Sequence, residues 1–146
     1  MKYIIFLFLM SSLVSCAQIS NRSPLFMVCD PQMNDQREEL AEQLFKDMKV
    51  EDLLELANPC AEAGNSYYQF SLGTIYINES MMAAMNRKGD PKQAFKWFIK
   101  AAEQGHEDAI LILMDAYEGG DMGLAKDETQ YIHWKKKLYD VQKKMN

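Results

Sequence analysis

Histidine and cysteine are scarce in this chain of 146 residues, with two of the first and three of the second, and that limits the chemistry open to it. His106 and His133 are the only side chains whose ordinary titration falls near neutral pH. His106 follows a glycine at which a helix is expected to end, a position usually exposed. His133 has Thr129 and Lys137 four residues to either side, and neither ligates a metal. Cys-x-x-Cys and Cys/His spacings suited to zinc are missing. So are HExxH, a nucleophile elbow and a phosphate-binding glycine loop. Carboxylate pairs such as Glu38 and Glu42 fit solvated helix faces. The expectation is no enzyme, no metal and no cofactor.

A basic balance is also lacking. Lys and Arg number 16 against 21 Asp and Glu, for a net charge of −5. Such a chain repels the phosphates of nucleic acid. The late lysines, Lys135, Lys136, Lys137, Lys143 and Lys144, complement a helix C-terminus better than they would hold a polyanion. No strand-like alternation of useful length occurs, and no heptad pattern is sustained.

The longest apolar run covers residues 3–10. It is too short to span a bilayer, which takes about 20 residues. Lys2 precedes it, and small and polar residues lead from it to Leu13-Val14-Ser15-Cys16. That is the layout of a secretory signal. Its ending resembles the bacterial lipobox, in which a leucine at minus three and a small residue precede an obligate cysteine. The resemblance implies removal of residues 1–15 and lipidation of Cys16, with Ala17 favouring the outer membrane. Several acyl chains, each contributing roughly 0.8 kcal/mol per buried methylene, anchor firmly. Removing residues 1–15 takes away one lysine and no acid, leaving 15 basic against 21 acidic side chains, a net of −6. Cys29 and Cys60 then remain. In an oxidising compartment they can form a disulfide; two buried free thiols are the alternative.

Residues 16–34 read as the lipidated cysteine and a tether, with the apolar stretch Leu25-Phe26-Met27-Val28-Cys29 able to dock on the domain. From residue 35 to 146 the pattern is helical and repetitive. Ala61-Glu62-Ala63-Gly64 recurs as Ala102-Glu103-Gln104-Gly105, an offset of 41, and Leu72 and Tyr76 match Leu113 and Tyr117 at the same offset. A second block, Asp90 to Trp97, recurs as Asp127 to Trp134 at an offset of 37. Gly64 and Gly105 suit a left-handed residue that ends one helix before the next begins. Asp90 and Asp127 suit helix N-caps, with Gln93 and Gln130 three residues on, and Pro91 fits a first helical position. Residues 35–63 read as a degenerate first unit, followed by repeats at about 64–104 and 105–140. In that first unit Leu40, Ala41, Leu44, Phe45 and Met48 share one face, and Pro59 should kink or break the second helix. Met81, Met82 and Met85 lie in the longer loop, where they extend a helix over the core or offer an adaptable surface. Trp97 and Trp134 read as packing residues.

These residues resemble the Sel-one-like repeat family, a relative of the tetratricopeptide repeat. The first unit supplies Leu72-Gly73, Tyr76, Asp90, Ala94, Trp97, Ala101-Ala102 and Gly105. The second supplies Ala109, Leu113, Tyr117, Gly119, Asp127 and Trp134. Tyr68, Met114 and Tyr131 depart from the pattern, which has Ala, Gly and Ala at those places. The resemblance covers roughly residues 50–140. It implies an all-α fold: a short α-α superhelix (solenoid) of antiparallel helix pairs that scaffolds or traps other proteins, with the first helix of each pair on the concave side. At 100° per residue, Tyr67, Phe70 and Thr74 face away from Leu72 and Tyr76. Asp108, Leu111, Asp115 and Glu118 do the same in the next unit. The expected binding surface is therefore a groove part aromatic and part acidic, built from these seven residues.

The functional expectation is a lipid-anchored module of the bacterial cell envelope, facing the periplasm from the outer membrane, whose partner is another protein. Its concrete form is an immunity protein that neutralises a secreted toxic effector such as a phospholipase. The rivals are an envelope assembly or scaffold lipoprotein and, because cysteine-rich relatives are linked to penicillin binding or hydrolysis, a β-lactamase-like hydrolase.

Overall fold

The computed structural model describes Cys29 and residues 34–145, all of whose regular structure is helical. The signal segment, Cys16 and the rest of the tether lie outside the described residues.

Seven helices follow in order: α1 (Asn34–Lys46), α2 (Val50–Glu62), α3 (Ser66–Ile77), α4 (Glu79–Ala84), α5 (Pro91–Glu103), α6 (Glu107–Gly119) and α7 (Glu128–Met145). Substantial contacts run along the chain: α1 on α2, α2 on α3, α3 on α5, α5 on α6 and α6 on α7. This is the all-α helical-repeat fold, in which each element is held by its neighbours in sequence.

The repeated residues make repeated bonds. Gly64 and Gly105 have φ of +99° and +92°. After each, the next N–H reaches back to close the helix end: Asn65 donates to the Cys60 carbonyl at 2.9 Å and His106 to that of Ala101 at 3.1 Å. The Asp90 carboxylate accepts from the Gln93 N–H, and that of Asp127 from Thr129 and Gln130. The two loops differ in length, yet both are closed by the same bond. Asp90 N–H donates to the Tyr76 carbonyl at 2.8 Å, and Asp127 N–H to that of Tyr117 at 2.9 Å. The first loop absorbs its extra residues as α4, which buries Met81 and Met82 against the core.

The core forms two clusters that share a wall. One gathers α1 to α4 around Leu56, Ala57, Cys60, Tyr68 and Leu72, and receives Trp97 from α5. The other gathers α5 to α7 around Phe98, Ala101, Ile110, Leu113 and Trp134. Helix α5 thus serves both. Where α3 crosses α5 the fit is close: a Cβ on Gly73 would stand 2.5 Å from the Phe98 ring.

Three details depart from the sequence reading. Pro59 does not interrupt α2, which runs unbroken to Glu62. A proline inside a helix costs about 3 kcal/mol; burial of Ala57, Cys60 and Ala61 around it offsets that cost. Phe45 and Met48 do not join the α1 core stripe; they are 47% and 45% exposed, while Ala41 and Leu44 are buried. The helix ends at Lys46, so Met48 lies beyond the face it was expected to extend. His106 is half-buried, because its ring stacks on Phe70 at 4.5 Å.

Candidate functional site

The first helices of the first two pairs, α1 and α3, stand either side of a groove of about 330 Å³ floored by Leu53 of α2. Its α1 wall is Ala41, Glu42, Phe45 and Lys46, and its α3 wall is Tyr67, Phe70, Ser71, Thr74 and Ile75. The geometry follows from local sequence. Asn65 caps α3, its side-chain oxygen accepting from the Tyr67 and Tyr68 N–H groups. That fixes the helix start and sends Tyr68 and Leu72 into the core while Tyr67, Phe70 and Thr74 turn outward at helical spacing. Thr74 and Ser71 hydroxyls donate to the carbonyls of Phe70 and Tyr67, four residues back. Their polarity is thereby spent within the helix, and the wall they leave is mainly apolar.

Charge rims this groove. Glu42 and Lys46 are paired at 3.6 Å on the exposed side of α1. Burial pushes the Tyr67 phenol up from its ordinary value, and the nearby carboxylates of Glu38 and Glu42 push it further, so it stays a neutral donor. The Tyr67 ring thus stands beside acids at the edge of an apolar space. At the far end, Phe70 carries the stacked His106, whose proton affinity burial lowers against the opposing pull of Asp108.

The structure thus brings together Tyr67, Phe70 and Thr74 from the seven residues read from sequence. Asp108, Leu111, Asp115 and Glu118 are all exposed on α6, and they do not line this groove. Phe45, expected on the α1 core face, lines it instead, and Leu53 reaches it from the first core cluster. The signal for Phe45 was weak. Only its place at the edge of the α1 apolar stripe, one residue before the helix ends, marked it as a rim position. Cys29 and Cys60 are joined as a disulfide, with Cα atoms 4.8 Å apart. The bridge fixes the incoming chain at the end of α2, on the first core cluster.

Buried Arg37 was not foreseen. It donates from Nη1 to the Leu56 carbonyl at 2.9 Å and so ties α1 to α2 beneath the groove. It also lies close to Tyr68, whose fully buried phenol is pushed up to about 12 by burial, with Arg37 opposing the rise. Among the described residues there is no cluster of three or more potential metal ligands. No helix there is long and apolar enough to cross a membrane.

No family model and no solved structure matches the chain. Among curated proteins, wolframin of Drosophila melanogaster is 31% identical over 81 residues. The match covers 55% of this chain and 9% of wolframin, so the chain spans under a tenth of that relative's length.

Proposed function

We propose that this chain is a lipid-anchored helical-repeat protein of the bacterial envelope, of the Sel-one-like type, that binds another protein through the groove between α1 and α3. The observation that carries the reading is the groove itself, with Phe45, Tyr67 and Phe70 around an apolar space and Glu38 and Glu42 beside the Tyr67 phenol. The occupant it fits is a protein segment that offers an apolar side chain flanked by basic ones. The acidic net charge, −6 once residues 1–15 are removed, speeds the approach of a basic partner and fixes its register. Repeated closing bonds in successive units support the repeat assignment. The sequence up to Cys16 supports the anchor.

In its concrete form the partner is a toxic effector delivered from outside, such as a phospholipase, and binding occludes the effector's active or membrane-facing surface. The full chain is to be captured from envelope extracts of challenged cells. A single secreted hydrolase should dominate, and Phe70→Asp or Tyr67→Ala should weaken its retention at least about tenfold, since hot-spot truncations exceed about 1–2 kcal/mol. Recovery of envelope-assembly components instead would replace immunity with scaffolding. Retention unchanged by both substitutions would remove the groove from the account. Cys16→Ser should abolish palmitate labelling and release the chain from the membrane fraction; labelling that persists refutes the anchor.

A further inference from the structure

The internal repeat shows what each unit presents to the next, and the unit of α6 and α7 presents a version of it that no described residue covers. On α3, Phe70 and Ile77 pack against the second core cluster; on α5, Phe95 belongs to it and Ala102 is fully buried within it. The equivalent positions one unit later are Leu111 and Glu118 on α6, at an offset of 41, and Ile132 and Tyr139 on α7, at an offset of 37. No described residue covers these. Leu111, Ile132 and Tyr139 are 42%, 56% and 65% exposed, and they account for three of the five exposed large hydrophobics of the described residues.

Charge sorts this end face into two stripes. Leu111, Met114, Asp115 and Glu118 follow helical spacing on α6, giving an acidic stripe around a leucine. Ile132, Lys135, Lys136, Tyr139 and Lys143 do so on α7, giving a basic stripe around an isoleucine and a tyrosine. Neither acid nor the flanking lysines Lys136 and Lys143 has a salt bridge within 4 Å among the described residues; Lys135 rests over the Tyr131 ring at 5.4 Å. A face half acidic and half basic is complementary to itself once it is turned about a two-fold axis that runs along the helices. That rotation sets α6 of one copy opposite α7 of the other and keeps each residue at its own height. The heights are fixed by the antiparallel hairpin, in which Gln142 donates to Glu107 across the pair at 3.4 Å. Counting equal rises from that bond, Leu111 of one copy comes within one residue of the height of Tyr139 of the other, Asp115 of Lys135, and Glu118 of Ile132. Lys136 lies within a turn of Asp115, and Lys135 lies one turn from Glu118.

We propose that the α6–α7 end face docks a second copy of this chain, forming a two-fold, four-helix interface in which the Leu111 stripe of each copy lies on the Tyr139 stripe of its partner. Two helices about 10 Å apart and about 20 Å long give a footprint on the order of 400 Å² per copy. This is about half the standard for a stable complex. The association is accordingly weak, with a dissociation constant on the order of 10 µM. It is independent of the α1–α3 groove and leaves that groove open.

The test is sedimentation equilibrium of the full chain, density-matched in detergent so that only protein mass is read, from about 1 to about 200 µM. The wild-type chain should double in mass over this range. Asp115→Lys with Glu118→Lys should remain monomeric, as should Lys135→Glu with Lys136→Glu. All four side chains are exposed, so thermal melts of these variants should match the wild type and exclude misfolding as the cause. Mixing the two variants should restore the doubled mass, and so should one chain carrying all four changes, because in each case opposite charges face one another again. A wild-type chain that stays monomeric throughout overturns the proposal. So does a dimer indifferent to the charge changes, or a failure of the mixture to associate.

Discussion

Gly73 and Phe98 show how one residue pair sets the spacing of two helices. The ring of Phe98 occupies the space a Cβ would need, at 2.5 and 2.6 Å from the built position. Gly73→Ala should therefore destabilise the protein by about 1–3 kcal/mol, the usual penalty for overpacking a well-filled core. Gly73→Ala with Phe98→Leu should recover part of it; urea denaturation measures both. The next unit solves the same problem with Met114 and Lys135 at the corresponding places. A methionine takes the glycine's position where the facing place holds a lysine and not an aromatic residue. Such an exchange is legible in sequence only when both helices are read together. His106 is a second case. Its position after Gly105 suggested exposure, and only the Phe70 ring, 36 residues earlier, makes it half-buried. Burial lowers its proton affinity below the ordinary value of 6.5. The unfolded chain therefore takes up the proton at higher pH than the folded one. The stabilising effect of neutral His106 is complete above about pH 6.5 and is lost as pH falls through the depressed folded value. His106→Gln should remove this part of the acid sensitivity below about pH 6.5. An unchanged pH profile of the melting temperature in that variant would show that burial of the ring does not govern it.

At the scale of elements, the boundaries most visible in sequence were those marked by backbone chemistry. Gly64, Gly105, Asp90, Asp127 and Pro91 each demand a particular conformation or leave an amide to be satisfied, and each sits where that demand places it. Elements governed by tertiary packing were less visible. Helix α4 forms inside a segment rich in loop-forming residues, because Met81 and Met82 can reach the core once Asn78 caps the turn. Helix α2 continues through Pro59 because burial on both sides outweighs the local penalty. The disulfide acts at the same scale. It closes a loop of 31 residues between the incoming chain and α2. By its effect on unfolded-chain entropy it should contribute about 3–4 kcal/mol. Reductant, or Cys60→Ala, should lower stability by that amount in denaturant titrations of the full chain. A change below about 1 kcal/mol would mean that the packing of α1 on α2, with Arg37 bonded to Leu56, already holds this end closed.

The groove and the end face are properties of the whole molecule, and this explains why so little of either could be read from one helix at a time. Helical spacing identified which side of α3 leaves the core. It could not say that α1 would stand opposite, or that α6 would not. The same architecture predicts how the molecule comes apart. Its two core clusters meet at α5, which gives Trp97 to one and Phe98 to the other. Trp134 serves the second cluster alone. Truncating a buried aromatic costs about 3–5 kcal/mol, but in a chain of nearest-neighbour units the loss stays local unless the shared wall is hit. Trp134→Ala should therefore speed amide hydrogen exchange through α6 and α7 while α2 and α3 keep their protection. Phe98→Ala touches α3 through Gly73 and the second cluster directly, so it should lower protection on both sides of α5 together. If the Trp134 variant instead loses protection evenly from α2 to α7, the chain unfolds as one cooperative block. The repeat would then describe its ancestry and its geometry without describing its energetics.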